Sequence, residues 1–158
     1  MNQQLLDKYN VPVPRYTSYP PANYFHELTT DKYLAAIDAS NHYAHQPLVS
    51  FYLHIPFCRH LCHYCGCNSY PMANQDMRRR YIEALHQEID LIASHLDIQN
   101  RQISQIHYGG GSPTALPIAD LKSLNEHLLS LMPTIAHPEI AIECHPGYLA
   151  EGDWEALA

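Results

Sequence analysis

Basic charge is scarce in this chain: nine Lys and Arg stand against sixteen Asp and Glu, for a formal net charge of −7. Such a surface has no broad cationic field for gripping nucleic-acid phosphates regardless of sequence, so acidic partners must be recognised locally. Twelve histidines weaken that argument well below neutral pH, where they protonate, but leave it standing at pH 7. Long apolar runs are also missing. None approaches the roughly 18 residues that cross a bilayer, so no membrane span is expected. The opening Met1-Asn2-Gln3-Gln4 has neither the basic nor the apolar region of an export signal, so the expected location is cytoplasmic. Internal repeats and low-complexity tracts are absent too. The chain's 158 residues, 46% hydrophobic and 16% charged, supply one core rather than two and are too apolar for a disordered tail.

What is present is concentrated. Four of the five cysteines fall between Cys58 and Cys67, and in a chain without an export signal thiols serve metal or redox work more often than a disulfide framework. Around that cluster the pattern reads as alternating strands and helices. Leu48 to Ile55 is a mostly apolar run halted by Pro56, the first strand and a buried one. Met77, Tyr81, Leu85, Ile89, Ile92 and Leu96 recur at helical spacing over Gln75 to Leu96. Ile103 to Tyr108 reads as a second strand running into Gly109-Gly110-Gly111. Ile118, Leu121, Leu124, Leu128 and Leu131 then mark a second helix behind Pro117, closed by Pro133 and Pro138. Glu139 to Glu143 reads as a third strand, and Asp153 with Trp154 and Leu157 as the start of a further helix.

Before the first strand, Pro12, Pro14, Pro20 and Pro21 interleaved with Tyr9, Tyr16, Tyr19 and Tyr24 read as an extended arm over residues 1 to about 28. Thr29 or Thr30 offers a cap for a short helix over Asp31 to Ser40. Strands alternating with helices of this length predict an α/β fold of parallel βα units with right-handed crossovers, either an open doubly wound sheet or a section of a barrel. The expected division is an arm and short helix over residues 1–46 and a core over 47–158.

The segment Cys58-Arg59-His60-Leu61-Cys62-His63-Tyr64-Cys65-Gly66-Cys67 spaces its thiols as C-x3-C-x2-C-x-C. Four thiolates so close in sequence crowd the backbone around one small ion, although zinc stays open with His54, His60 or His63 as a ligand. A cubane iron-sulfur cluster suits the spacing better, because its iron corners stand apart and three of them can be reached from one short loop. The triple glycine lacks the Gly-Lys-Ser/Thr of a phosphate loop and the G-x-G-x-x-G of a dinucleotide fold, and alone is weak evidence of a site. In parallel α/β folds ligands sit outside the carboxyl ends of strands, and the cysteine loop, the glycines and Glu143 occupy three successive strand ends.

Cys58, Cys62, Tyr64 and Cys65 match C-x3-C-x-aromatic-C, and on that motif the chain resembles the radical S-adenosylmethionine enzymes. The resemblance narrows with Tyr52-Leu53-His54-Ile55-Pro56-Phe57, Gly66-Cys67-Asn68, Pro14-Arg15-Tyr16-Thr17-Ser18-Tyr19-Pro20, His107-Tyr108-Gly109-Gly110-Gly111-Ser112-Pro113-Thr114 and Ile142-Glu143. Together they are similar to the oxygen-independent coproporphyrinogen III oxidases of haem synthesis, in order and over nearly the whole chain. The resemblance implies a [4Fe-4S] cluster on Cys58, Cys62 and Cys65, with its open iron binding S-adenosylmethionine. A 5′-deoxyadenosyl radical would then drive oxidative decarboxylation of two propionates of coproporphyrinogen III to vinyls, giving protoporphyrinogen IX. By matching position, Tyr52, Gly110 and Glu143 would contact the first S-adenosylmethionine, and Tyr64, Gly111 and Ser112 a second. Cys67 matches a fourth cysteine that is not expected to ligate.

The same resemblance implies an electron donor of flavodoxin or ferredoxin type and a monomeric full-length enzyme. Its catalytic domain is a partial radical-SAM barrel of six βα units, of which about three are present here, so this chain alone is not expected to be active. In the arm, Arg15 is a candidate partner for a substrate propionate with Tyr16 and Tyr19 flanking the macrocycle, against the plainer reading of a packed strap. Arg78-Arg79-Arg80 reads as a solvated helix face, Cys144 as a buried thiol, and His60, His63 and most other histidines as solvated. Two departures stand out: Cys144-His145-Pro146 follows Glu143 where an acidic or amide residue is usual, and Ser112 replaces a common threonine. Two rivals are a haem chaperone of the same superfamily and a non-catalytic metal-binding module. Chaperone members generally lack the Pro14–Pro20 arm and place Asp-Phe where Gly66-Cys67 stand.

Overall fold

The computed structural model describes residues 3–10, 21–43, 48–72 and 74–157. It divides into two compact units, Met1–Tyr33 and Leu34–Ala158. The first contains α1 (Gln3–Tyr9), a single 3-10 turn (Ala22–Tyr24) and the opening of α2 (Thr30–Ser40). The arm expected to be extended from its first residue therefore begins as a helix. Its first seven residues precede every proline, and the Gln3 amide donates to Asp7 one turn on at 2.9 Å. Thr29 caps α2, its Oγ1 accepting from the Lys32 amide at 3.4 Å.

The second unit is a parallel three-stranded sheet in the order β1-β4-β5, built from β1 (Leu48–Ile55), β4 (Gln102–Gly110) and β5 (Thr134–Ile142). Helices α3 (Gln75–His95) and α4 (Ile118–Leu131) connect these strands, and α5 (Asp153–Leu157) follows. A short parallel pair, β2 (Phe57–Cys58) with β3 (Tyr70–Pro71), frames the cysteine loop. The α/β architecture of parallel βα units is thus the one expected from the sequence.

The central strand β4 carries the core: Ile103 and Ile106 are fully buried, with Tyr108 beside them. They pack with Leu53 and Ile55 of β1 and with Leu121, Leu124 and Leu128 of α4, the helix stripe read from the sequence. Strand β1 is buried only toward its carboxyl end, because it lies at a sheet edge rather than in the middle, which corrects the expectation of a buried strand. On α3 the inward residues are Ile82 and Ile89, whereas Met77 is 55% exposed. Of the expected stripe, Tyr81, Leu85, Ile89 and Leu96 pack on the core, with Ile82 joining them in place of Met77. Asn74 caps α3 by accepting from the Met77 amide at 2.9 Å.

Strand β5 begins earlier than Glu139 and runs through Pro138. Proline has no N–H to give a ladder, and it is tolerated here because β5 is an edge strand whose pairing with β4 slips between Ile103 and Gln105. Between α3 and α4 lies a polar seam. His86 Nδ1 is 2.8 Å from His127 Nδ1, His127 Nε2 is 2.8 Å from Asp90, and Ser123 Oγ is 3.3 Å from His86 Nε2. These two histidines are half-buried rather than solvated. Cys144, expected to be buried, is exposed, since it lies beyond the last paired residue of β5.

Candidate active site

Parallel pairing sets the carboxyl ends of the sheet side by side: Ile55 is opposite Gly110, and Tyr108 opposite Ile142. The residues that follow each strand therefore meet at one rim. Glu143 comes directly after β5, and its amide donates to the Tyr108 carbonyl at 2.9 Å. That bond extends the ladder by one residue and fixes where the side chain departs. The carboxylate then accepts from the Gly110 amide at 3.3 Å and from His107 Nε2 at 3.4 Å.

Tyr52 and His54 occupy the same rim from β1. The His54 ring is held at both ends. Its Nε2 donates to the Asn68 carbonyl at 2.8 Å, which leaves Nδ1 to accept from the Tyr52 hydroxyl at 3.1 Å. Tyr52 in turn stacks on His107 at a centroid distance of 5.7 Å. Its hydroxyl is held above the ordinary phenol range by burial first and by the Glu143 charge second. The sequence marked Tyr52, Gly110 and Glu143; it did not mark His107, which is the cross-strand link between Tyr52 and the carboxylate. Its position two residues before Gly109 on a strand was the available signal.

The glycines are required by this crowding. Gly110 has φ of +116°, and a Cβ there would fall 2.7 Å from the His54 ring and 2.9 Å from the Ile55 carbonyl oxygen. A Cβ on Gly109 would meet the Tyr52 ring at 2.8 Å, and one on Gly111 would meet Cys58 Sγ at 2.9 Å. The Gly111 and Ser112 amides donate to the carbonyls of Ile55 and Phe57 at 2.8 and 2.9 Å, so the glycine turn is tied to the start of the cysteine loop. Ser112 Oγ lies 4.0 Å from Cys58 Sγ.

Cys58 is buried at the end of β2, whereas Cys62, Cys65 and Cys67 are exposed, and Tyr64 is 99% exposed. The structure thus places Cys58 at the rim with Gly111 and Ser112 and does not gather the three expected ligands. Among the described residues no three His, Cys, Asp or Glu side chains are collected at metal-binding distance. Residues 59–69 contain no strand or helix, so backbone hydrogen bonding does not fix where Cys62 and Cys65 point. The loop is nonetheless anchored at its far end, where the Tyr70 amide donates to the Pro56 carbonyl at 2.7 Å.

The donor chemistry fits an iron-sulfur cluster. The loop offers soft thiols and no carboxylate, a set that selects iron-sulfur or zinc over hard cations. Cys65 Sγ accepts the Cys67 amide at 3.4 Å and lies 3.8 Å from the Ser69 hydroxyl, and these bonds lower its thiol below the usual range. Cys67 is raised by the hydrogen bond and charge of Cys65, with smaller contributions from Glu143 and Cys58. The two thiols are thereby pushed in opposite directions, Cys65 down and Cys67 up. Arg15, Tyr16 and Tyr19 lie outside the described residues. His145, the departure after Glu143, turns away from the carboxylate: its amide donates to Thr114 Oγ1 at 3.2 Å and its ring stacks on Tyr148 at 4.2 Å. No helix among the described residues is long and apolar enough to cross a membrane.

Comparison with known proteins gives this rim a context. The family model of the radical SAM superfamily matches residues 52–158. The oxygen-independent coproporphyrinogen III oxidase of Synechocystis is 38% identical over 92% of this chain and 31% of its own length. That of Escherichia coli is 42% identical over 90% of this chain and 30% of its own. A solved structure of coproporphyrinogen III oxidase from Escherichia coli, described as a radical SAM enzyme, superposes with a TM-score of 0.80 at 37% identity, covering 98% of this chain and 33% of that one. The chain spans about a third of the length of the relatives it matches. With the matched segment opening at Tyr52 and holding every cysteine and glycine of the rim, the chain belongs to the radical SAM superfamily.

Proposed function

We propose that this chain is the amino-terminal part of an oxygen-independent coproporphyrinogen III oxidase, which oxidatively decarboxylates two propionates of coproporphyrinogen III to vinyls and yields protoporphyrinogen IX. In this reading Cys58, Cys62 and Cys65 would hold a [4Fe-4S] cluster, and the rim residues would bind S-adenosylmethionine. When bound, the cluster supplies the electron that cleaves the sulfonium of S-adenosylmethionine. The carrying observation is the Glu143 carboxylate, held against the Gly110 amide on the rim that also carries Cys58.

Each side chain has a definite task there. Glu143 accepts from a ribose hydroxyl of the first S-adenosylmethionine, and His107 and the Gly110 amide keep its carboxylate aimed. The glycines keep the backbone bare so that amides can approach a cosubstrate closely. Tyr52, fixed by His54 and His107, forms one wall. Tyr64 on the cysteine loop, with Gly111 and Ser112, serves a second S-adenosylmethionine. Arg15 pairs with a substrate propionate, with Tyr16 and Tyr19 beside the macrocycle. An electron donor of flavodoxin or ferredoxin type completes the cycle, and the full-length form is monomeric and cytoplasmic.

The test is anaerobic assay of this chain, reconstituted with iron and sulfide, beside the carboxyl-terminal two-thirds of a relative. Conversion of coproporphyrinogen III to protoporphyrinogen IX with consumption of S-adenosylmethionine is expected. Cleavage of S-adenosylmethionine without porphyrinogen turnover would leave the superfamily chemistry and refute the oxidase.

A further inference from the structure

A cationic feature lies beside the cysteine loop and outside the rim described above. Arg59, the residue after Cys58, is exposed and holds its guanidinium 4.6 Å from the ring centre of Tyr148. Arg78, near the start of α3, is half-buried, unlike the solvated helix face expected of it, and its Nε is buried without a partner among the described residues. No carboxylate pairs with either arginine among the described residues, while the neighbouring Arg79 is taken up by Asp76 and Glu83. Arg59 and Arg78 line one cleft of about 190 Å³, and Pro117 and Ile118 at the start of α4 line it as well.

Three physical facts converge on this cleft. A guanidinium that meets no carboxylate keeps donors for an anion in the cleft it lines. Helix α4 has 14 residues and follows Pro117, which supplies no side-chain cap; the Asp120 amide bonds the Pro117 carbonyl at 3.1 Å and its carboxylate lies in the first turn, which leaves the Ile118 and Ala119 amides at the positive dipole end for an anion. Two guanidinium groups on different elements offer fork-shaped donors matched to carboxylate or phosphate oxygens. The opposing charge is Asp153, which also lines the cleft but whose carboxylate accepts the Ala150 amide at 2.8 Å ahead of α5. The aromatic face of Tyr148 steadies Arg59 without neutralising it.

We propose that this cleft binds a small oxyanion, a carboxylate or a phosphate group, between the guanidinium groups of Arg59 and Arg78. The proposal goes beyond the oxidase reading and does not rest on it. Because Arg59 follows Cys58 directly, an anion seated there ties the first residue of the cysteine loop to the starts of α3 and α4.

The experiment is an NMR titration of this chain with inorganic phosphate, and separately with acetate, at constant ionic strength set by chloride. Saturable shifts of the Arg59 and Arg78 Nε–H signals and the Ile118 amide are expected, with a Kd on the order of 1 mM. Whichever anion saturates at lower concentration identifies the preferred group. Arg59→Gln, on an exposed loop, weakens that binding at least fivefold, Arg78→Gln does the same, and Lys122→Gln on the outer face of α4 leaves it unchanged. Shifts no larger than those with chloride alone, or binding unaltered by Arg59→Gln, would overturn the proposal.

Discussion

The Glu143 carboxylate accepts the Gly110 amide at 3.3 Å, linking the end of β4, where the backbone of Gly110 has φ of +116°, to the residue after β5. A side chain at position 110 is strained by that conformation and also runs into His54 and the Ile55 carbonyl. Gly110→Ala is therefore expected to destabilise the chain by about 1–3 kcal/mol, read as a lower urea midpoint at unchanged slope. An unchanged midpoint would mean that the glycine turn is not held as described.

Glu143→Gln keeps the shape of the side chain and removes its charge. The Gly110 amide retains an acceptor, so folding is preserved, while the charge-assisted bond proposed to a ribose hydroxyl is weakened. S-adenosylmethionine affinity of the iron-loaded chain should fall about tenfold, from the roughly 1.5 kcal/mol separating charged from neutral bonds. Equilibrium binding to the variant and the original, both loaded with cluster, measures it.

Cys65 and Cys67 differ by environment although only Gly66 separates them. The Cys67 amide and the Ser69 hydroxyl favour the thiolate of Cys65, and that thiolate disfavours ionisation of Cys67. A lowered thiol is ionised over a wider pH range, so alkylation of the cluster-free chain at pH 7 should modify Cys65 before Cys67. Raising the pH should narrow the gap. Ser69→Ala removes one of the supporting bonds and should slow Cys65. Mass mapping of iodoacetamide adducts against time gives the order.

Leu124 is fully buried between α4 and the sheet. Leu124→Ala should cost about 2–5 kcal/mol, against less than 1 kcal/mol for Leu129→Ala on the exposed face of the same helix. Parallel urea titrations of the two variants check the difference.

Much of this was legible in the sequence where one element decides its own fate. The run Leu48 to Ile55 ends at Pro56, and β1 has those bounds; Leu121, Leu124, Leu128 and Leu131 of α4 recur at helical spacing and face the core. Legibility failed where a neighbour decides. Whether α3 turns Met77 or Ile82 inward depends on what it packs against, and the pairing of His86 with His127 requires two helices to be set side by side. The burial of β1 depends on its place at a sheet edge, which no local pattern records. At the rim, Glu143 and Gly110 were marked by matching position in the family resemblance, with the convergence of strand ends in parallel folds in support. His107 was missed because its role is to hold another residue rather than to contact a ligand. Cys62 and Cys65 were readable only by spacing, since their loop has no backbone ladder to orient them.

The central claim is that Cys58, Cys62 and Cys65 carry a cubane cluster. Anaerobic reconstitution of this chain with iron and sulfide, followed by metal and sulfide analysis and electron paramagnetic resonance of the reduced product, tests it most directly. The account predicts about four irons and four sulfides per chain, lost in Cys58→Ser, Cys62→Ser and Cys65→Ser and retained in Cys67→Ser, with the reduced signal altered by S-adenosylmethionine. Zinc retained in place of iron, or a cluster that survives loss of any of the first three cysteines, would contradict it.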